Sequence, residues 1–157
     1  MNFTSQICTT KEQSERLLAL GLKKETADMH YYHTVDFEGN EVWYPSIIPY
    51  ENVVVASDFV GETEICLENN TIPAWSLDRL IEMMPKRLKN LKEGWDMCGH
   101  DIAFMITEDL DVNYEEPFED YPCYNKYFHE GNLYDKIVNS ISWLIKEGHF
   151  NKEYLED

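Results

Sequence analysis

Asp28, His30, His33 and Asp36 form a D-x-H-x-x-H-x-x-D array, which holds the ligand types that a transition metal takes. Imidazole nitrogens and carboxylate oxygens serve such an ion when they converge to about 2–2.2 Å from it. Convergence depends on the backbone beneath them. On a helix His30 and His33 share a face, whereas on a strand residues three apart leave opposite faces. The aromatic run His30-Tyr31-Tyr32-His33 predicts a strand, so the pair is expected to be strand histidines and no metal is assigned. His30, His33 and Asp36 stand as the weak metal candidates.

A second array, Asp96-Met97-Cys98-Gly99-His100-Asp101, crowds a thiol, an imidazole and two carboxylates into six residues. A cysteine nucleophile needs a base within hydrogen-bond reach, and a Gly-hinged loop allows that across two residues. Such pairs are usually assembled from distant segments, and no known local signature surrounds this one. The expectation is a turn after Gly94 and Trp95, with Cys98 and His100 as weak catalytic candidates. They define the alternative reading of the chain, a small metal- or thiol-dependent hydrolase. No G-x-G-x-x-G, P-loop, H-E-x-x-H or G-x-S-x-G is present, and no cofactor is expected.

Charge is the third feature. The chain has 157 residues and a formal net charge of -17. Residues 30–72 carry eight carboxylates and no Lys or Arg, and residues 94–130 carry ten against Lys126 alone. Between them, residues 73–93 hold Arg79, Lys86, Arg87, Lys89 and Lys92 against three acids. This field repels nucleic acid and anionic membrane and favours a basic protein partner, so direct nucleic-acid binding is not expected. DNA carries one charge per ~1.7 Å of axis. Carboxylates lined along one surface can imitate that track, and Glu62, Glu64, Glu68, Glu108, Asp109 and Asp111 are the candidate partner-binding residues.

The elements that position these residues can be read from caps and periodicity. Thr10 and Gln13 make a capping box for a helix over 11–20, and Gly21 stops it. A short helical turn is expected over Thr26 to Met29. "HYYHTVDF" and "EVWYPSII" flank Glu38-Gly39-Asn40 and predict a hairpin, its second strand confined to an edge by Pro45 and Pro49. "NVVVAS" reads as a short strand, and "TEICLE" fits helix or strand.

In "PAWSLDRLIEMMP" Ser76 caps a helix, Pro85 ends it, and Leu77, Leu80, Ile81 and Met84 make an apolar face expected to be core. Trp75 closes the start of that helix. "DIAFMIT" and "CYNKYFHE" are expected to pair as strands across the acidic loop "EDLDVNYEEPFEDYP". A last helix runs from about Asn132 to Glu147, with Leu133, Ile137, Ile141 and Leu144 as its stripe and Gly148 as its stop. Helices and strands alternate without βαβ regularity. The expected fold is a single α+β domain over residues 1–157, with about three helices on a mainly antiparallel sheet.

No run of ~18 apolar residues predicts a membrane span. Cys8, Cys66, Cys98 and Cys123 are widely spaced, and no basic-then-apolar segment opens the chain, so reduced thiols in the cytoplasm are expected.

Three stretches, "KEQSERLLALGLKKETADM" (11–29), "IPAWSLDRLIEMMP" (72–85) and "SISWLIKEGHF" (140–150), resemble a family of small uncharacterised proteins. These are encoded in gut-bacterial genomes, often within prophages and other mobile elements. The resemblance covers a little over a quarter of the chain. It implies an intracellular α+β domain of phage or mobile-element origin, and no catalytic residue or cofactor. Residues 37–70 and 108–121 depart from the family pattern, which confines the acidic field to this member. The functional expectation is therefore a non-enzymatic accessory protein that binds a basic protein, in its sharpest form a nucleic-acid mimic.

Overall fold

In the computed structural model, residues 6–35, 38–47, 71–88, 102–115 and 125–157 are described. Among them are three α-helices and two antiparallel sheets, one of three strands and one of four, so the fold is α+β. The sequence pattern points to one sheet; two are found. The chain divides into two compact units, Met1–Leu80 with Glu153–Asp157, and Ile81–Lys152.

In the first unit, helix α1 (Lys11–Ala19) begins at the capping box: Gln13 N donates to Thr10 Oγ1 at 3.2 Å, and Thr10 N donates to Gln13 Oε1 at 2.9 Å. It ends where Gly21 takes a φ of +87°, which lets Gly21 N reach Leu18 O and Leu22 N reach Leu17 O. A single 3₁₀ turn follows at Lys24–Thr26. It ends sooner than the predicted 26–29, and Met29 already belongs to strand β1 (Met29–Val35). The Thr26 hydroxyl donates to Lys23 O at 2.6 Å and closes that turn.

Strand β2 (Glu41–Ser46) pairs antiparallel with β1, Val35 opposite Glu41, through the turn containing Gly39 at φ +86°. The described order is β2-β1-β3, so exposed Pro45 sits on an edge strand, where a missing N–H costs least. Strand β3 (Thr71–Ala74) pairs with the other side of β1. It contains Pro73, and propensity gave no sign of it.

Trp75, fully buried, ties the first unit together. Thr9 N donates to Trp75 O at 2.9 Å, and Trp75 N donates to Thr9 Oγ1 at 3.1 Å. The indole Nε1 donates to Thr26 Oγ1 at 3.0 Å. Ser76 N donates to Asp28 Oδ1 at 2.8 Å, the Ser76 hydroxyl bonds Asp28 Oδ2, and Ser76 Oγ accepts from Arg79 N at the start of helix α2 (Leu77–Met83). Arg79 Nε donates to Thr26 O, and its guanidinium lies 5.7 Å from the Tyr154 ring centre. The C-terminal residues complete this unit, with Lys23 N donating to Tyr154 O and Glu156 N to Gly21 O. The core expectation for "PAWSLDRLIEMMP" holds at Trp75, Leu80 and Met84, Leu77 and Ile81 of the predicted face are only partly buried, and Met83, off that stripe, is buried instead.

In the second unit, β4 (Arg87–Leu88), β5 (Ile102–Ile106), β6 (Val112–Glu115) and β7 (Asn125–Phe128) form an antiparallel sheet in sequence order. The expected direct pairing of "DIAFMIT" with "CYNKYFHE" is therefore corrected. Part of the acidic loop, Val112-Asn113-Tyr114-Glu115, is itself a strand and lies between them. Its alternation explains why: Val112 and Tyr114 are fully buried on the face that carries the aromatic cluster.

Helix α3 (Leu133–Glu147) covers that face. Trp143 sits 5.8 Å from Tyr114 and 6.0 Å from Phe128, ring centre to ring centre. An Asn132–Asp135 capping box starts α3, and Gly148 at φ +76° ends it. Ile137, Val138, Ile141 and Leu144 are buried along it, each contributing about 1.5–3 kcal/mol by burial. "NVVVAS" and "TEICLE" lie outside the described residues.

Replacing Trp75 by Ala is expected to cost about 3–5 kcal/mol through the cavity and the broken bonds, and by Phe visibly less, in denaturant unfolding. Tyr114 supplies a pH test. Its hydroxyl donates to Pro85 O at 2.8 Å, and burial raises its pKa far above the ordinary value near 10. The folded chain keeps this proton after the unfolded chain releases it. Its contribution is complete below about pH 10 and is lost as pH rises further. Tyr114→Phe should cost about 1 kcal/mol at neutral pH and flatten the alkaline loss of stability, measured as melting temperature against pH.

Candidate functional site

The two histidines lie on β1, and a strand sends residues three apart to opposite sides. His30 is buried, its ring centre 6.4 Å from that of Tyr32. His33 stacks 4.9 Å from Trp43, its cross-strand neighbour, with Nε2 3.7 Å from a Glu41 carboxylate. Asp36 lies outside the described residues, as do Cys98, His100, Glu62, Glu64 and Glu68. Among the described residues no group of three His, Cys, Asp or Glu side chains is arranged to hold a metal ion. The described thiol, Cys8, is buried; desolvation raises its pKa, opposed by its hydrogen bond to Tyr31.

The remaining candidates share the β5–β6 hairpin tip. Thr107 N donates to Asp111 O, Asp111 N donates to Thr107 Oγ1, and Leu110 N donates to Thr107 O. Leu110 adopts the left-handed region at φ +60°, unusual for a branched side chain, and is 53% exposed. Lys136, buried on α3, braces the tip from within: Nζ donates to Asp111 Oδ1 at 2.7 Å and to Leu110 O at 3.2 Å. The three predicted carboxylates therefore separate by role. Glu108 and Asp109 are exposed, while Asp111 is held by Lys136.

Sequence reasoning missed a cluster on the sheet face opposite α3. Strand parity places Met105, Asn113 and Tyr127 in one cross-strand row, and Arg87, Ala103, Glu115 and Asn125 in the next. Asn125 Nδ2 donates to Glu115 Oε2 at 2.9 Å. Asn113 is only 2% exposed, yet Asn113 Oδ1 and Asn125 Oδ1 are both buried and have no hydrogen-bond partner among the described residues. Tyr127, directly across from Asn113, is half exposed. The available signal was the V-N-Y-E alternation, which places Asn113 and Glu115 on one face and was hidden inside an acidic run.

The basic side chains are largely engaged within the protein. Lys11 Nζ lies 4.0 Å from the Trp43 ring centre, Lys86 and Lys126 each 5.5 Å from those of Phe104 and Phe128. Lys23 Nζ donates to Glu153 O, and Lys86 Nζ to Ile81 O. Glu12, Glu15, Glu25, Glu38, Glu41, Asp78, Glu82, Glu108 and Asp109 are exposed. No helix among the described residues is long and apolar enough to cross a membrane. No protein-family model, curated protein or solved structure matches this chain.

Lys136→Met should cost about 1–2 kcal/mol, less than a fully buried pair, because the abandoned Asp111 side chain is 33% exposed and regains water. Hydrogen exchange should rise at the amides of 107–111 more than along α3, which checks that the lysine braces the tip.

Proposed function

We propose that this chain is a non-enzymatic accessory protein of phage or mobile-element origin that works in the cytoplasm by binding a basic protein partner. The observation that carries the reading is the unequal use of charge. Lys11, Lys23, Lys86, Lys126 and Lys136 are engaged by the protein's own rings, carbonyls and Asp111, while carboxylates such as Glu108 and Asp109 face outward. A net charge of -17 is thus left to act at a distance. Such a field speeds encounter and selects partner charge more than it supplies affinity. The resemblance of "KEQSERLLALGL", "PAWSLDRLIEMMP" and "SWLIKEG" to mobile-element proteins supports the origin. In the sharpest form the partner is a DNA-binding protein whose phosphate-contacting surface accepts these carboxylates instead.

Tagged protein, incubated with host lysate at low and high salt, should recover a basic protein at low salt and lose it at high salt. Glu108→Gln with Asp109→Asn should weaken recovery at low salt, and added DNA should compete. Recovery indifferent to salt, or none at either salt, would sink the proposal and turn attention to metal content and the Cys98 thiol.

A further inference from the structure

Resting on that reading, we propose that the face of the second sheet opposite α3, around Asn113, Glu115 and Asn125, is a receptor for an arginine side chain of the basic partner. The three side chains leave the same face of β6 and β7, opposite the face that packs on Trp143. Together they present an unusual balance. Asn113 Oδ1 and Asn125 Oδ1 are buried acceptors with no hydrogen-bond partner among the described residues, and the Glu115 carboxylate can only accept. A buried acceptor left unmatched is costly, and native proteins leave few of them. Two on one sheet face, beside a carboxylate, call for a group rich in donors.

The chemistry decides which donor. A divalent cation would meet two neutral amide oxygens and a single carboxylate, whereas sites for hard divalent ions gain affinity from the number of charged ligands. An arginine brings five N–H donors, no acceptor and one positive charge, which balances a single carboxylate. Its planar guanidinium also stacks on aromatic rings, and the half-exposed ring of Tyr127 lies directly across from Asn113. The protein shows this affinity internally, where the Arg79 guanidinium lies over Tyr154. Met105 and Tyr127, the cross-strand neighbours of Asn113, are incompletely buried and so free to make the rotamer changes common on binding. The overall negative charge draws the partner in.

The test uses the full chain and two fluorescent peptides of equal charge, a Lys-rich peptide with one central Arg and its counterpart with Lys at that position. Anisotropy titrations should give about tenfold tighter binding of the Arg peptide, the value of well-made hydrogen bonds to a charged group. That preference should fall to near unity in Asn113→Leu and in Glu115→Gln, and shrink in Tyr127→Ala, with circular dichroism unchanged. Glu108→Gln with Asp109→Asn should weaken both peptides alike. Two tight but equal affinities, indifferent to the face variants, would overturn the arginine site and leave the acidic-module reading standing. Failure of both peptides to bind the unaltered protein would overturn that reading too. Stoichiometric calcium binding that Asn113→Leu abolishes, without an arginine preference, would overturn the proposal in favour of a metal site.

Discussion

The indole of Trp75 sets the architecture of the first unit because its polar and apolar requirements are met in different places. Its backbone bonds Thr9, ahead of α1, and its Nε1 bonds Thr26 in the 3₁₀ turn beyond α1, so both ends of the helix are referred to one buried side chain. Two hydroxyls in the arrangement each have two uses. Thr26 Oγ1 accepts from the indole and donates to Lys23 O; Thr9 Oγ1 accepts from Trp75 N and pairs with Ser14 Oγ. Such matched networks fix one geometry, because any shift leaves a buried group without its partner. Asp28 extends the constraint by capping α2 from a distant segment, a role that a side chain within the helix would otherwise fill.

The second unit rests on the two faces of one short strand. Val112 and Tyr114 turn towards α3 and its aromatic cluster, while Asn113 and Glu115 turn the other way. Because β6 lies between β5 and β7, the fully buried Val112 and Tyr114 hold Asn113 and Glu115 in register. The hairpin tip before β6 is fixed independently, by Lys136 reaching from α3 to both the strained Leu110 carbonyl and Asp111. The polar chemistry of this unit is thereby displayed on a rigid support.

Sequence reading succeeded where the signal is local. The Thr10–Gln13 box, Gly21, the Glu38-Gly39-Asn40 turn and Gly148 each act within a few residues of themselves, and each lies where the pattern placed it. It failed where a strand is defined by its neighbours. Thr71–Ala74 contains a proline and Val112–Glu115 lies in an acidic run, so propensity argued against both; pairing and burial decided otherwise. The candidate residues show the same limit. Glu108, Asp109 and Asp111 look alike in sequence, and the difference at Asp111 comes from a lysine 25 residues away. Asn113 carries no chemical signature at all; only the packing that buries it makes its oxygen conspicuous.

The closing of the first unit by Tyr154 and Glu156, which bond Lys23 and Gly21, has a consequence for birth on the ribosome. Residues up to Leu80 are made first, yet their last partners follow the whole of Ile81–Lys152. At typical synthesis rates of about 5–20 residues per second, roughly 4–15 s separate the two. Through that interval α1 and its turn exist without the segment that secures them. The nascent first unit completes these native contacts only after Ile81–Lys152 has been made, so its maturation waits on the synthesis of the second unit.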